Sequence, residues 1–135
     1  MSKRGEIVRR IIEEFVERRS DTAWATYDPR VVWDSSRSGL VDNAGVYVGP
    51  DGVGEFWRNW LEAWESIDFE LVGLREVDNV VVTTFKQENI AKRSGVATRF
   101  EHTLAWTFRG PKIVRVDMYP TLEEALAELA FDEGD

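Results

Sequence analysis

The chain has 135 residues and a formal net charge of −8, and 43% of its residues are hydrophobic. This length suits one domain with its own core, and the negative charge repels nucleic-acid phosphates and anionic lipids, which argues against both as partners. The chain has no cysteine, which excludes disulfides and thiolate sites and suits a reducing compartment, so we expect a single cytoplasmic domain over residues 1–135.

Two helices are predicted at the start of the chain. Over residues 6–19, apolar side chains recur at the i, i+3 and i+4 spacing of one helix face, with Arg and Glu opposite. A short second helix is predicted from Asp21, carrying Trp24 and Tyr27. It must end before Pro29, because proline disfavours helical geometry at the preceding residue.

A short strand and a third helix follow. Val31 to Ser35 has the composition of a strand, and the Gly-, Ser- and Asn-rich residues 36–48 predict a loop. Pro50 then marks the first turn of a helix. Its predicted apolar face contains Val53, Phe56, Trp57, Trp60, Leu61 and Trp64.

The second half of the chain predicts antiparallel strands and a closing helix. Strands are expected over 69–77, 80–90, 99–108 and 113–119, separated by turn sequences. Thr121 and Glu124 form a capping box for the last helix, and residues 131–135 predict a frayed acidic tail. Helices and strands are segregated in this order, which predicts an α+β fold.

Specific stretches of the chain resemble the nuclear transport factor 2-like superfamily, and within it the SnoaL-like and ketosteroid isomerase-like proteins. The resemblance implies a cone-shaped, curved antiparallel (mixed) β-sheet wrapped around three N-terminal helices, with a short C-terminal helix and one small-molecule pocket. Besides the opening helix, the stretches that carry the resemblance are residues 27–34 (YDPRVVWD), 47–53 (YVGPDGV), 56–57 (FW) and 108–115 (FRGPKIVR).

Asp34 and His102 are the candidate catalytic residues. By its place on the first strand, Asp34 matches the aspartate that ketosteroid isomerases use as general base, which works if burial raises its pKa towards the working pH. His102 lies on the apolar face of its strand, where an imidazole can exchange a proton near neutral pH. The alternatives stay open: Asp34 caps a turn or faces solvent, and His102 is a hydrogen-bonded core residue without chemistry.

Two acids that related enzymes use have no counterpart at the matching positions. Where ketosteroid isomerases carry a protonated aspartate, this chain has Leu104, and its first helix has no tyrosine. Where SnoaL-like cyclases and limonene epoxide hydrolases place an aspartate on the last strand, this chain has Met118. Asp117 is one residue away and is expected on the opposite face of the sheet, as a surface or interface acid paired with Arg115 or Arg99. A bulge that turned it inward would make it a further candidate site residue.

The predicted pocket wall is aromatic and flexible. Most of these side chains also suit a core beneath the sheet, but those nearest the open end are expected to contact a ligand. The candidate ligand-binding residues are Phe56, Trp57, Trp60, Leu104, Trp106 and Met118.

Three functions remain open at this point. The first is a cofactor-independent isomerase, cyclase, dehydratase or hydrolase that acts on an apolar organic molecule by proton transfer, with Asp34 as base and His102 as its partner. The second is a non-catalytic binder of such a molecule, and the third is a dimeric interaction module. A homodimer through the outer sheet face, with Val72, Leu74 and Tyr119, is compatible with all three.

The sequence predicts no metal, no cofactor and no membrane partner. A single histidine cannot form a metal site without cysteines or a cluster of acids. The first ten residues are charged where a signal peptide is apolar, and no run approaches the roughly 18 apolar residues of a membrane span.

Overall fold

A six-stranded mixed sheet organises the fold, with strand order β2-β1-β6-β5-β4-β3. In this computed structural model, residues 3–17, 19–38 and 44–133 are described, with side chains up to residue 129. The helices of these ranges are α1 (Lys3–Val16), α2 (Asp21–Thr26), α3 (Gly49–Glu62) and α4 (Leu122–Glu133). The strands are β1 (Tyr27–Asp34), β2 (Val46–Val48), β3 (Trp64–Val77), β4 (Val80–Ala91), β5 (Ala97–Arg109) and β6 (Lys112–Tyr119).

Strand direction makes the sheet mixed. Strands β1 and β6 are parallel, whereas every other neighbouring pair is antiparallel. The chain can place β1 beside β6 because the intervening helix α3 and the β3–β5 meander provide the long connection that a parallel pair requires. The α+β class predicted from the sequence, with a mixed sheet and a short C-terminal helix, is confirmed.

The sheet is covered on both faces. One face packs against α1, α2 and α3 and holds the larger core, whereas the other packs against α4 and a smaller apolar cluster. Alternation along β5 shows the division: Leu104 and Trp106 belong to the larger core, and Ala105 between them belongs to the smaller one. We call these two sides the helical face and the α4 face.

Local signals in the sequence set the helix starts. Gly49 has φ +77, a left-handed conformation that favours glycine, and Pro50 follows in the first turn of α3. At α4 the Glu124 backbone N–H donates to the Thr121 hydroxyl at 3.1 Å, which is the predicted cap. Both helices therefore begin where the sequence indicates.

Several boundaries differ from the prediction: α1 begins and ends three residues earlier than expected, and three further differences have a local cause. Tyr27 is the first residue of β1 and not the end of the second helix, because Pro29 already requires extended backbone before it. Strand β2 lies within the predicted loop; it is three residues long, and its sequence Val46-Tyr47-Val48 has no alternation of apolar and polar residues that would indicate a strand. Strand β3 begins at Trp64, five residues early, where it pairs with Ala91.

The chain ends lie partly outside the described residues. Helix α4 continues to Glu133, and residues 134–135 of the predicted frayed tail are not among those described, nor are residues 39–43 of the predicted loop. None of the described helices is long and apolar enough to cross a membrane.

Candidate functional site

A cavity of about 340 Å³ lies between the three N-terminal helices and the helical face of the sheet. Its sheet side is formed by Phe69, Phe85, Leu104 and Trp106 from β3, β4 and β5. These side chains meet there because period-two alternation turns them all towards the helices. The cavity thus has an aromatic and aliphatic floor.

Two helix stripes form the opposite walls. Helix α3 contributes Val53, Trp57 and Leu61, spaced four residues apart so that they lie along one side of the helix. Helix α1 contributes Ile11 and Phe15 with the same spacing, and Phe15 contacts Trp57 with ring centroids 4.6 Å apart. The amphipathic pattern that predicts these helices therefore also produces the apolar walls.

Exposed residues of the lining mark the mouth of the cavity. These residues, which we call the mouth, are Arg19, Ser20, Trp24 and Arg58. Arg58 follows Trp57 on α3, and Arg19 follows the apolar stripe of α1. Helices α1 and α2 are joined next to the mouth by the Glu14 carboxylate, which accepts hydrogen bonds from the Thr22 hydroxyl at 2.6 Å and the Thr22 amide at 2.8 Å.

Tyr27 is a buried residue of the cavity lining that carries a polar group. Only 6% of the residue is exposed, and its ring meets Trp24 edge-on at 6.2 Å. The hydroxyl forms no hydrogen bond with any residue that the structure describes. Burial raises the pKa of Tyr27 above its usual range, so the hydroxyl stays protonated and can donate to a ligand oxygen.

Acids and histidine are missing from the cavity lining. Among the described residues that line it, the ionisable side chains are Arg19, Arg58 and Tyr27. Neither Asp34 nor His102 is one of the lining residues. The cavity can therefore hold an apolar molecule and donate hydrogen bonds to it, but no carboxylate or imidazole of its described lining can accept a proton.

Asp34 lies on the α4 face of the sheet, away from the cavity. Alternation along β1 turns Trp33 into the larger core and Asp34 to the other side, beside Asp117 of the parallel strand β6. Arg115 holds both acids: its Nη2 lies 2.8 Å from Asp34 Oδ2, and its Nε lies 2.9 Å from Asp117 Oδ1. Arg37 adds a second cation at 3.3 Å from Asp117.

This ion cluster makes Asp34 a weak base. Burial raises the pKa of Asp34, but hydrogen bonds from the Ser36 hydroxyl and amide and the charges of Arg115 and Arg37 outweigh burial and leave the pKa below its usual value. A general base near neutral pH needs the opposite shift. As the sequence predicts, Asp117 is on the face away from the ligand cavity and is paired with Arg115.

His102 lies in the core of the helical face. Only 3% of the residue is exposed, and its ring stacks on Phe85 at 5.1 Å between centroids. Gln87 Nε2 lies 2.7 Å from His102 Nε2, and Asn89 Nδ2 donates to Gln87 Oε1 at 2.9 Å. The Asn89 bond orients the Gln87 amide so that its NH₂ donates to His102, which places the imidazole proton on Nδ1.

The structure therefore does not bring Asp34 and His102 together. They lie on opposite faces of the sheet, so the predicted arrangement in which both act on one substrate is corrected. Burial lowers the pKa of His102 to about 4, which keeps the ring neutral at pH 7. The interpretation of His102 as a hydrogen-bonded core residue, left open above, fits its surroundings.

The six predicted wall residues divide into two groups. Trp57, Leu104 and Trp106 line the large cavity. Phe56, Trp60 and Met118 lie deeper and border a void of about 10 Å³ beside His102. Trp57 and Leu104 line both spaces and separate this void from the cavity. The helical and strand periodicity of these six residues correctly predicts that they share a core. Periodicity does not give the depth of each residue under the sheet, and this depth decides whether the residue reaches the cavity.

Tyr27, Arg19 and Arg58 line the cavity but are not among the site residues predicted from the sequence. A signal existed for Arg58, because it lies four residues after Gly54 and next to Trp57, on the edge of the apolar stripe of α3. Tyr27 was hidden by its assignment to a helix. Within the described residues no group of three His, Asp or Glu side chains could hold a metal ion.

Comparison with known proteins identifies a domain type. The sequence profile of the SnoaL-like domain matches residues 8–116, and no curated protein matches the chain. A similar crystal structure is that of an NTF2-like protein from Burkholderia thailandensis, with a TM-score of 0.77 and 20% identity over 95% of this chain and 98% of that one.

Two further structures are similar in fold. TerC, co-crystallised with polyporic acid, has a TM-score of 0.72 and 20% identity over 92% of this chain and 95% of its own. A protein from a Jannaschia species that is described as a SnoaL-like polyketide cyclase has a TM-score of 0.72 and 13% identity over 90% of this chain and 88% of its own. At these identities the similarity concerns the fold.

Proposed function

This chain belongs to the family of SnoaL-like domains, and we propose that it binds a small, largely apolar organic molecule in the cavity between its N-terminal helices and the sheet. The observation that carries the proposal is the cavity itself, whose volume of about 340 Å³ and aromatic walls suit a ligand of one to three rings. Polar groups are few and are concentrated at Tyr27 and the mouth. Such a lining favours apolar burial with orientation by a few polar contacts.

The described cavity lining contains no acid that could accept a proton, and this favours binding over proton-transfer catalysis. Asp34 is held in an ion cluster on the α4 face, and His102 lies behind Trp57 and Leu104. An enzyme of the predicted kind needs a base within hydrogen-bond reach of its substrate. The similar protein TerC was co-crystallised with polyporic acid, and this supports a small-molecule ligand for the same fold.

Filling the cavity tests the proposal. Ala23 of α2 is buried and lines the cavity, whereas Ala25 on the same helix is exposed and does not. We expect Ala23→Phe to occupy the ligand volume and weaken binding of a two-ring probe such as 2-acetylnaphthalene by about tenfold or more, since a lost apolar contact of this size costs roughly 1.5 kcal/mol. Tryptophan fluorescence titration measures the affinity.

Ala25→Phe is the matched control, because it adds the same side chain outside the cavity. The affinity of Ala25→Phe for the probe should equal that of the unmodified chain. Circular dichroism of both variants establishes that the fold is retained. Equal affinities for the probe in all three proteins would place the ligand elsewhere and contradict the proposal.

Catalysis is a second candidate function, favoured by one observation. Tyr27 lines the cavity, and its protonated hydroxyl has no hydrogen-bond partner among the described residues. Such a donor can stabilise the oxygen anion that develops when a proton leaves the carbon beside a ketone carbonyl, with solvent as the proton acceptor. The solved structure described as a SnoaL-like polyketide cyclase supports testing this chemistry.

Tyr27→Phe separates the two candidate functions. If the chain is an enzyme of this kind, hydrogen–deuterium exchange beside the carbonyl of a bound aryl ketone should fall by about 100-fold, the usual cost of losing one oxyanion donor. If the chain only binds the ketone, the affinity of the variant should differ from that of the unmodified chain by less than tenfold. Hydrogen–deuterium exchange of the ketone should then proceed at the background rate with both proteins. Tyr119→Phe is the control, since Tyr119 lies on the α4 face; it should alter neither quantity.

Homodimerisation through the outer side of the sheet stays a prediction. Val72 is 43% exposed, as such an interface requires. Tyr119 is buried in the cluster under α4, and Leu74 packs against the larger core. Of the three apolar residues predicted for the interface, Val72 alone is freely accessible, so a dimer would have to use other contacts as well.

A further inference from the structure

The mouth of the cavity is basic in a chain of strongly negative charge. Arg19 and Arg58 both line the cavity, and none of the described lining residues is acidic. The formal net charge of the chain is −8, so acidic side chains predominate over the whole molecule but are missing from this lining. Charge that opposes the overall balance at the entrance of a cavity points to the ligand that enters it.

Arg58 is the cation that remains available. It is exposed and forms no ion pair or hydrogen bond within the described part of the chain. Glu55 and Glu62 lie three and four residues away on α3, the usual spacing of helical ion pairs, yet neither is within ion-pair distance of it. Its guanidinium group is thus free to take an external partner.

The guanidinium group of Arg19 is already paired with two acids. Its Nη2 lies 3.2 Å from Asp21 Oδ2, and its Nη1 lies 3.7 Å from Glu17 Oε2. These two carboxylates offset its charge, so Arg19 contributes mainly its position beside the opening. The electrostatic preference of the mouth therefore depends on Arg58.

From this geometry we infer that the ligand is an aromatic acid, whose rings occupy the cavity and whose acidic group pairs with Arg58 at the mouth. The inference rests on the proposed binding function and specifies its ligand class. Guanidinium groups bind carboxylates through two parallel hydrogen bonds, which suits a planar acid better than a bare ion. An apolar body is needed as well, because the walls behind Arg58 are aromatic and aliphatic.

Two probes of matched shape test the inference. 2-Naphthoate carries a carboxylate, and 2-acetylnaphthalene replaces it by a neutral methyl ketone on the same two rings. We expect the chain to bind the carboxylate about tenfold more tightly, as one partly exposed charge-assisted contact would give. This preference should shrink with added salt, because the pair at the mouth is screened.

Arg58→Gln should abolish the preference for the carboxylate without weakening the binding of the ketone. The glutamine keeps much of the side-chain length and removes the charge, so both probes should then bind about equally. Arg75→Gln is the matched control: Arg75 is exposed on β3 and does not line the cavity, so the same change of net charge should leave the preference at its original value.

The outcomes separate this inference from the function on which it rests. Ketone binding that Ala23→Phe weakens, together with no preference for the carboxylate in the unmodified chain, would overturn the inference alone. A preference that survives Arg58→Gln, or that Arg75→Gln abolishes equally, would also overturn it. Failure of both probes to bind would contradict the proposed function itself.

Discussion

Replacing Arg115 by methionine should destabilise the chain by about 2 kcal/mol at neutral pH, because two buried acids lose a guanidinium group whose side chain is itself 39% exposed. Asp34 and Asp117 face each other across the parallel pair β1 and β6, and each residue is 8% exposed. Without Arg115 the two carboxylates repel each other, and Arg37 is the remaining cation within reach of both. Urea denaturation followed by circular dichroism gives the free energy of unfolding.

Arg99→Met is the matched control for this change. Arg99 pairs with Glu88 at 2.9 Å, but both side chains are mostly exposed, and exposed pairs contribute little. The same substitution there should cost about 0.5 kcal/mol or less. Equal losses from the two substitutions would show that burial of the Asp34 cluster has no energetic consequence, contrary to its geometry.

The loss caused by Arg115→Met should also shrink in acid. In the unmodified chain the pKa of Asp34 is lowered, so its contribution to stability is present above the ordinary carboxylate pKa and decreases as the pH falls through the lowered value. In the variant the charge of Arg115 no longer lowers the pKa of Asp34, and protonation in acid relieves its repulsion with the facing acid. The two proteins should therefore converge in stability as the pH falls below about 4.

Stability should fall between pH 6.5 and about 4 because His102 is buried as a neutral ring. Burial lowers its pKa from 6.5 to about 4, so in this interval the unfolded chain binds a proton that the folded chain does not. The stabilisation is complete above pH 6.5 and is lost progressively towards pH 4, by up to about 3 kcal/mol. His102 is the sole histidine, so this interval reports mainly on it.

His102→Gln removes the titrating group and keeps a hydrogen-bonding partner for Gln87. The variant is expected to be less stable at pH 7, since glutamine does not stack on Phe85 as the imidazole does. The informative quantity is the slope: unfolding free energy should depend on pH between 6.5 and 4.5 in the unmodified chain and become nearly flat in the variant. An unchanged slope would mean that His102 does not titrate with this pKa.

Period-two and helical patterns predict most of the fold because they follow from burial of one face. In β5 the alternating Leu104, Trp106 and Phe108 all belong to the core of the helical face, although the neighbouring Thr103 and Ala105 are buried on the other face. Alternation fails at the end of β1, where Trp33 and Asp34 are both buried because helices cover both faces of the sheet. A short strand buried on both sides does not reveal which side chain faces the ligand.

The cavity could not be predicted from periodicity. Its walls come from three helices and four strands, and its open space depends on how far the helices stand from the sheet. Tyr27 reaches the cavity because β1 begins two residues before Pro29. Arg58 reaches the mouth because one edge of α3 faces it. Sequence patterns give the faces of single elements, whereas a cavity is a property of their tertiary arrangement.

The proposed ligand lies on the helical face, inside this cavity. Nuclear Overhauser effects between the ring protons of bound 2-naphthoate and assigned methyl groups locate it directly. We predict contacts to the methyl groups of Ile12, Val53 and Leu104, which line the cavity. Contacts instead to Val82 and Ala125 of the α4 face would contradict a ligand site in this cavity.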